Sequence, residues 1–108
     1  MSYKIETISI FDKQAKRLAK KYKSLKTDLA ELAESLSEHP EQGVALGNNF
    51  FKVRMAVKSK NKGKSGGARV ITYLKIIDSV VFLSAIYDKS EYDTISEEAI
   101  EELFKLIP

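Results

Sequence analysis

The chain has 108 residues, enough for one domain with its own hydrophobic core, and its 44% hydrophobic and 31% charged residues are ordinary for a globular protein. The absence of cysteine rules out disulfides and thiolate zinc sites, a single histidine argues against a histidine-based metal centre, and no apolar run approaches the roughly 20 residues of a membrane span. The net charge of +3 conceals a division: residues 1–77 carry 16 Lys or Arg against 7 Asp or Glu, whereas residues 78–108 carry 2 against 8. That polarity suits a cationic working surface opposed by an acidic C-terminal element, or else a set of salt-bridged solvated faces.

The N-terminal MSYKIETISIF contains an acidic residue and no apolar signal core, so a cytoplasmic protein is expected. Tyr3 to Ser9 alternates well enough for a short first strand. Phe11, Ala15, Leu18 and Tyr22 then recur at helical spacing, with Lys13, Lys16, Arg17, Lys20 and Lys21 on the remaining surface. Ser24 is placed to cap a second helix whose stripe is Leu25, Leu29, Leu32, Ala33 and Leu36, and His39-Pro40 ends it. The two make an αα-hairpin joined by Lys23-Ser24. Gly43 and Gly47-Asn48-Asn49 punctuate the passage into three strands, about Phe50 to Lys58, Ala68 to Ile77 and Val80 to Tyr87, the last two joined by a tight turn at Asp78-Ser79. Thr94-Ile95-Ser96-Glu97 has a capping-box pattern ahead of a last helix with Ile100, Leu103, Phe104 and Ile107 on its buried stripe. The expected order is β-α-α-β-β-β-α over one domain, residues 1–108. It predicts an α+β fold whose antiparallel or mixed sheet carries the N-terminal helical hairpin and a C-terminal helix, with helices on one face.

The run from Phe50 to Leu74 carries the chemistry. Phe51, Val53, Met55 and Val57 share one face of a period-two strand, and Lys52, Arg54 and Lys58 share the other. Lys60, Lys62 and Lys64 continue the charge through a glycine-rich loop, and Arg69 restores it where the next strand begins. Like charges on adjacent strands repel unless an anion lies between them, so Lys52, Arg54 and Arg69 together point to a polyanion, with RNA the leading choice. The lysine-rich loop is read as a flexible docking arm, or else as a solvated, mobile tip. GKSGG is no Walker A loop: Lys58 stands where that motif wants glycine, and a strand follows instead of a helix.

Taken together, FDKQAKRLAKKYKSLKTDLAEL, FKVRMA, GKSGGARVITYL and SAIYDKSEYDTIS resemble the RelE/ParE toxin superfamily, closest to RelE and HigB-like toxins of type II toxin-antitoxin systems. The resemblance spans nearly the whole chain, and KSGGARVITY is its most distinctive part. It implies a metal- and cofactor-independent, ribosome-dependent mRNA endoribonuclease, in which the 2′-hydroxyl of the RNA attacks the adjacent phosphate. Such a reaction needs cations around the phosphate, a base, an acid, and an aromatic ring for a displaced nucleobase. By resemblance, Lys52 is the candidate base, crowded by Arg54 and Arg69, and Arg69 is the phosphate clamp. Lys89 stands where the family often has an arginine beside the leaving group. Tyr92 is the stacking ring, with Tyr87 its competitor. Lys58, Lys60, Lys62 and Lys64 are expected to dock on ribosome and RNA. Two positions depart from the family pattern: Leu46-Gly47 stands where an arginine is common, and residue 89 is a lysine. The implied partners are the ribosome, mRNA and a cognate antitoxin, HigA-like with a helix-turn-helix domain as one option. No membrane or small-molecule cofactor is implied. The competing functions are a ParE-like toxin that binds DNA gyrase and a non-catalytic RNA-binding modulator of translation.

Overall fold

The computed structural model describes residues 2–61, 63–92 and 94–108. Its elements in chain order are β1 (Lys4–Thr7), α1 (Ser9–Lys21), α2 (Leu25–Glu38), β2 (Val44–Gly47), β3 (Phe50–Met55), β4 (Ala68–Lys75), β5 (Val80–Asp88) and α3 (Glu97–Leu106). The strands form one sheet in the order β1-β5-β4-β3-β2, with β1 parallel to β5 and all other neighbours antiparallel. The mixed α+β architecture expected from the sequence is therefore present, with one strand more than expected.

The additional strand is β2. Its four residues are all exposed, so no alternation of apolar and polar side chains betrays its backbone pairing. The turn that returns it to β3 uses Asn48 at φ +52° and Asn49 at φ +66°, the positive dihedrals that a two-residue primed hairpin turn requires. The same asparagines had marked only a break between elements. At the far end of β4 the expected tight turn is a short 3-10 segment, Ile76–Asp78, closed by Ser79 in the left-handed region.

Period two divides the central strands at the Arg54 end, before an irregularity between Ile71 and Thr72 shifts the register of β4 against β5. Met55, Ala68 and Asp88 are in register on one face, as are Val53, Val70 and Ile86. Tyr22, at the end of α1, reaches Asp88 from above this face, so the helical hairpin lies over it, with Phe11, Leu18, Leu25, Leu32 and Leu36 buried in the core. The opposite face carries Phe50, Lys52 and Arg54 on β3, Arg69, Ile71 and Tyr73 on β4, and Ala85 and Tyr87 on β5. There α3 lays Phe104 against Tyr73 (centroids 5.8 Å) and Phe50 (6.5 Å). The helices thus occupy both faces, which differs from the expected single layer: an all-buried β5 and a β4 buried along most of its length need covering on each side.

Two capping expectations resolve differently. Ser24 has helical dihedrals and its Oγ donates to Asp28 Oδ2 (2.7 Å), so it ties side chains together instead of capping an amide. The last helix is capped by Ser96, whose Oγ accepts from the Ala99 amide (3.1 Å). Glu97 begins that helix, and Glu97 and Glu98 meet its positive end as expected.

Candidate active site

Sheet register assembles the site. Arg54, Arg69 and Tyr87 form one transverse row across β3, β4 and β5, and Lys52 lies two residues along β3 beside Ile71 and Ala85. Because α3 occupies the Phe50–Tyr73 end of this face, the row is left at the other end, where Arg54 is exposed and Lys52 half-buried. Tyr92 closes the row from outside: its ring stacks on Tyr87 with centroids 4.2 Å apart and planes 14° from parallel. Burial, then the neighbouring Glu91 carboxylate, push the Tyr92 phenol above its ordinary value, against the opposing pull of Arg17. Glu91 is itself held by Arg17 of α1 at 3.6 Å, which tethers the segment after β5 to the helical hairpin. Lys89, two residues beyond Tyr87, is half-buried, and its amide donates to Gly67 O (3.1 Å).

The two arginines in the row differ sharply in environment. Arg54 is exposed, whereas Arg69 is 1% exposed and its guanidinium donates to Lys64 O (2.9 Å), Ser65 O (3.1 Å) and Ala68 O (3.2 Å). Arg69 therefore acts here as an organiser of the loop before β4, in place of the open phosphate clamp expected from the sequence. Its guanidinium is closed to solvent behind that loop.

Lys60 also departs from its expected docking role. It is half-buried against the loop, donating to Gly66 O (2.7 Å), Gly67 O (3.4 Å) and Asp88 Oδ1 (2.6 Å). Four successive carbonyls, from Lys64 to Gly67, are thus turned inward onto buried Arg69 and half-buried Lys60. Gly67 is glycine for steric reasons: a methyl there would overlap the Met55 carbonyl and crowd the Ala56-Val57 backbone. At the other end of the loop, the Ser59 amide donates to Ser24 Oγ (2.8 Å) and Lys58 Nζ to Glu31 Oε1 (2.9 Å). The hydrogen bond and charge of Glu31 hold the Lys58 ammonium above its ordinary value. The segment read as a solvated arm or tip is instead pinned at both ends. Of the expected docking cations, Lys58 and Lys64 are exposed and Lys62 lies outside the described residues.

Asp88 and Tyr22 had no place in the sequence-based site. Burial alone would raise the Asp88 carboxyl, yet hydrogen bonds from Lys60, Tyr22 and Ser90 outweigh it and hold the group well below the usual carboxylate range. The available signal was its position: Asp88 is the acidic end of SVVFLSAIYD, and a carboxylate closing a fully buried strand needs a partner. Among the described residues no group of His, Asp and Glu is arranged to hold a metal ion. The row itself offers cations and stacked aromatics.

Comparison with known proteins agrees with this architecture. The family model for the RelE toxin of the RelE/RelB toxin-antitoxin system matches residues 8–107. Among solved structures, a mutant of the E. coli toxin RelE in the free state superposes with a TM-score of 0.67 at 18% identity, covering 100% of both chains, a likeness of fold. No curated protein matches in sequence. With nearly its whole length matched by the family model, the chain belongs to the RelE toxin family.

Proposed function

We propose that the chain is a ribosome-dependent mRNA endoribonuclease, the toxin of a toxin-antitoxin pair, which cleaves by attack of the RNA 2′-hydroxyl on the adjacent phosphate. The observation that carries this reading is the transverse row on one sheet face: exposed Arg54 beside half-buried Lys52, with the Tyr87–Tyr92 stack across from them. In the reaction, Arg54 meets the charge that builds on the phosphate, Lys52 takes the 2′-hydroxyl proton, and Lys89 serves the leaving 5′-oxygen. A displaced nucleobase stacks on the outer face of Tyr92. Arg69 acts from beneath, holding the loop that frames the site. The exposed cations Lys13, Lys16, Lys20 and Lys21 of α1, with Lys58 and Lys64, suit the phosphate backbone of the ribosome. A cognate antitoxin is the implied protein partner and the cytoplasm the implied compartment.

The test is to add the protein to translating ribosomes and map mRNA 5′ ends. Cuts in register with codons, leaving 5′-hydroxyl ends, are expected. Supercoiling inhibition without cuts would replace this reading with gyrase binding. Translation arrest without cuts would favour a non-catalytic RNA-binding modulator, the alternative that the burial of Arg69 supports.

A further inference from the structure

We propose that Asp88 is a positioning residue of this site, acting through Lys60 on the Lys64–Gly67 segment, and that Lys60 takes no part in binding RNA. The inference rests on the endoribonuclease reading above, although its structural half is testable without it.

Asp88 is 1% exposed and gathers groups from three parts of the chain. Tyr22 of α1 donates its hydroxyl to Oδ2, Lys60 of the loop donates to Oδ1, and the Ser90 amide donates to Oδ1 at 2.9 Å. Lys21 stands at 4.0 Å. The Lys60 ammonium has three donors, and its three acceptors are the Asp88 carboxylate, Gly66 O and Gly67 O. Gly67 O accepts from the Lys89 amide as well, and the two carbonyls before Gly66 are those held by Arg69. One carboxylate thus sets Lys60, Lys60 sets the loop backbone, and the loop backbone meets both Lys89 and Arg69. Asp88 also lies between Tyr87 and Lys89 in the chain, so its anchorage fixes the strand end that presents them.

A buried ion pair contributes little net stability relative to an apolar pair of similar volume, but it selects one geometry. That points to placement as the use of the Lys60–Asp88 pair. Asp88→Asn and Lys60→Met should each lower kcat for mRNA cleavage on ribosomes by about 10²-fold, the scale of an ångström's misplacement. The ribosome concentration at half-saturation should change by less than about threefold, because no binding contact is lost. The uncharged double variant Lys60→Met/Asp88→Asn should recover the wild-type thermal midpoint yet keep the low kcat. The Lys89 amide, whose acceptor is Gly67 O, should exchange with solvent at least about tenfold faster in Asp88→Asn, as expected of a locally opened segment.

A double variant that cleaves at the wild-type rate would overturn the proposal, as would a loss confined to half-saturation, which would return Lys60 to RNA docking. Unchanged exchange at Lys89 would overturn it too. If the wild-type protein cuts nothing, the endoribonuclease reading fails, and the exchange experiment still decides whether Asp88 orders the loop.

Discussion

Arg54 and Arg69 stand directly opposite each other on neighbouring strands, and their guanidiniums part company: Arg69 turns inward to the loop carbonyls of Lys64 and Ser65 and to Ala68 O while Arg54 remains exposed. Carbonyl dipoles surround the Arg69 charge, while the Arg54 charge faces solvent. This parting assigns the two arginines different duties and makes them separable by mutation.

Arg54→Ala removes an exposed side chain, so unfolding free energy should change by no more than about 0.5 kcal/mol. Cleavage should nevertheless fall by about 10²- to 10³-fold, the usual loss when one charge-stabilising donor is removed from a reacting centre. Urea unfolding and single-turnover cleavage on the same preparation check both halves. Wild-type cleavage by Arg54→Ala would remove that residue from the site.

Arg69→Ala should behave in the opposite sense. It strands the carbonyls of Lys64 and Ser65 and leaves a buried void, so about 3 kcal/mol of stability should be lost. Any fall in toxicity would accompany that loss. Arg69→Lys should recover part of the stability, since an ammonium can reach some of the same acceptors but lacks the guanidinium fork. Equal urea midpoints for Arg69→Ala and wild type would show that the loop does not depend on this residue.

Tyr92 is suited to stacking because Tyr87 already backs one of its faces. Tyr92→Ala should slow cleavage by about 10- to 100-fold, the scale of one base–aromatic stack, while Tyr92→Phe keeps most of the rate. Burial and Glu91 raise the phenol, so it stays protonated well into the alkaline range. The favourable contribution of a raised group is present below its unfolded value and is lost as pH rises through the folded one. The rate–pH profiles of wild type and Tyr92→Phe should therefore superimpose from pH 7 to about 9. A wild-type inflection in that window that vanishes in Tyr92→Phe would assign the hydroxyl a direct part in proton transfer.

The elements were legible where side-chain periodicity was strong: both hairpin helices, the three inner strands and the last helix carry clear stripes. The strand β2 was hidden because Val44 to Gly47 are all exposed and their pairing is made by backbone alone. The lining of the site was legible for a related reason, since alternation places Lys52 and Arg54 on the same face. What alternation cannot reveal is whether a cation points at solvent or folds back on its own backbone. Lys60 and Arg69 look like their neighbours Lys58 and Arg54 in the sequence, and only the inward carbonyls of Lys64 to Gly67 separate them. The placement of α3 on the second face was equally invisible, because an amphipathic stripe states that a helix is covered but not by which side of a sheet.

Acid should expose the Asp88 node. Because the folded carboxyl is held below its unfolded value, its contribution is complete above an unfolded pKa of about 3.9 and is lost as pH falls toward the folded value. The stability deficit of Asp88→Asn relative to wild type should thus be constant from pH 7 to about 5, then shrink by up to about 1.4 kcal/mol per pH unit below 4. Urea midpoints at pH 7, 4 and 3 measure it. A deficit that does not vary with pH would mean that the carboxylate charge is not what the node uses.

The glycines of the loop give the final prediction, with a built-in control. A Cβ at Gly63 would meet nothing within 4 Å, and its φ of −69° suits any residue, so Gly63→Ala should be neutral or stabilise by a few tenths of a kcal/mol by restricting the unfolded chain. Gly67 also has negative φ, at −85°, so the sign of φ does not distinguish the two. Space does: a methyl on Gly67 would strike the Met55 carbonyl and the backbone of Ala56 and Val57, none of which can swing aside as a flexible side chain would. The loop would have to lift from the end of β3, carrying the Gly66 and Gly67 carbonyls off Lys60 and Gly67 O off the Lys89 amide. Gly67→Ala should therefore destabilise by about 2 kcal/mol, within the range of overpacking at a closed site. It should also lose cleavage to about the extent of Asp88→Asn, because both changes release the same four-carbonyl segment. Thermal unfolding and ribosome cleavage of the two alanine variants, side by side, decide it. A Gly67→Ala protein as stable and active as Gly63→Ala would show that the loop adjusts without disturbing the site.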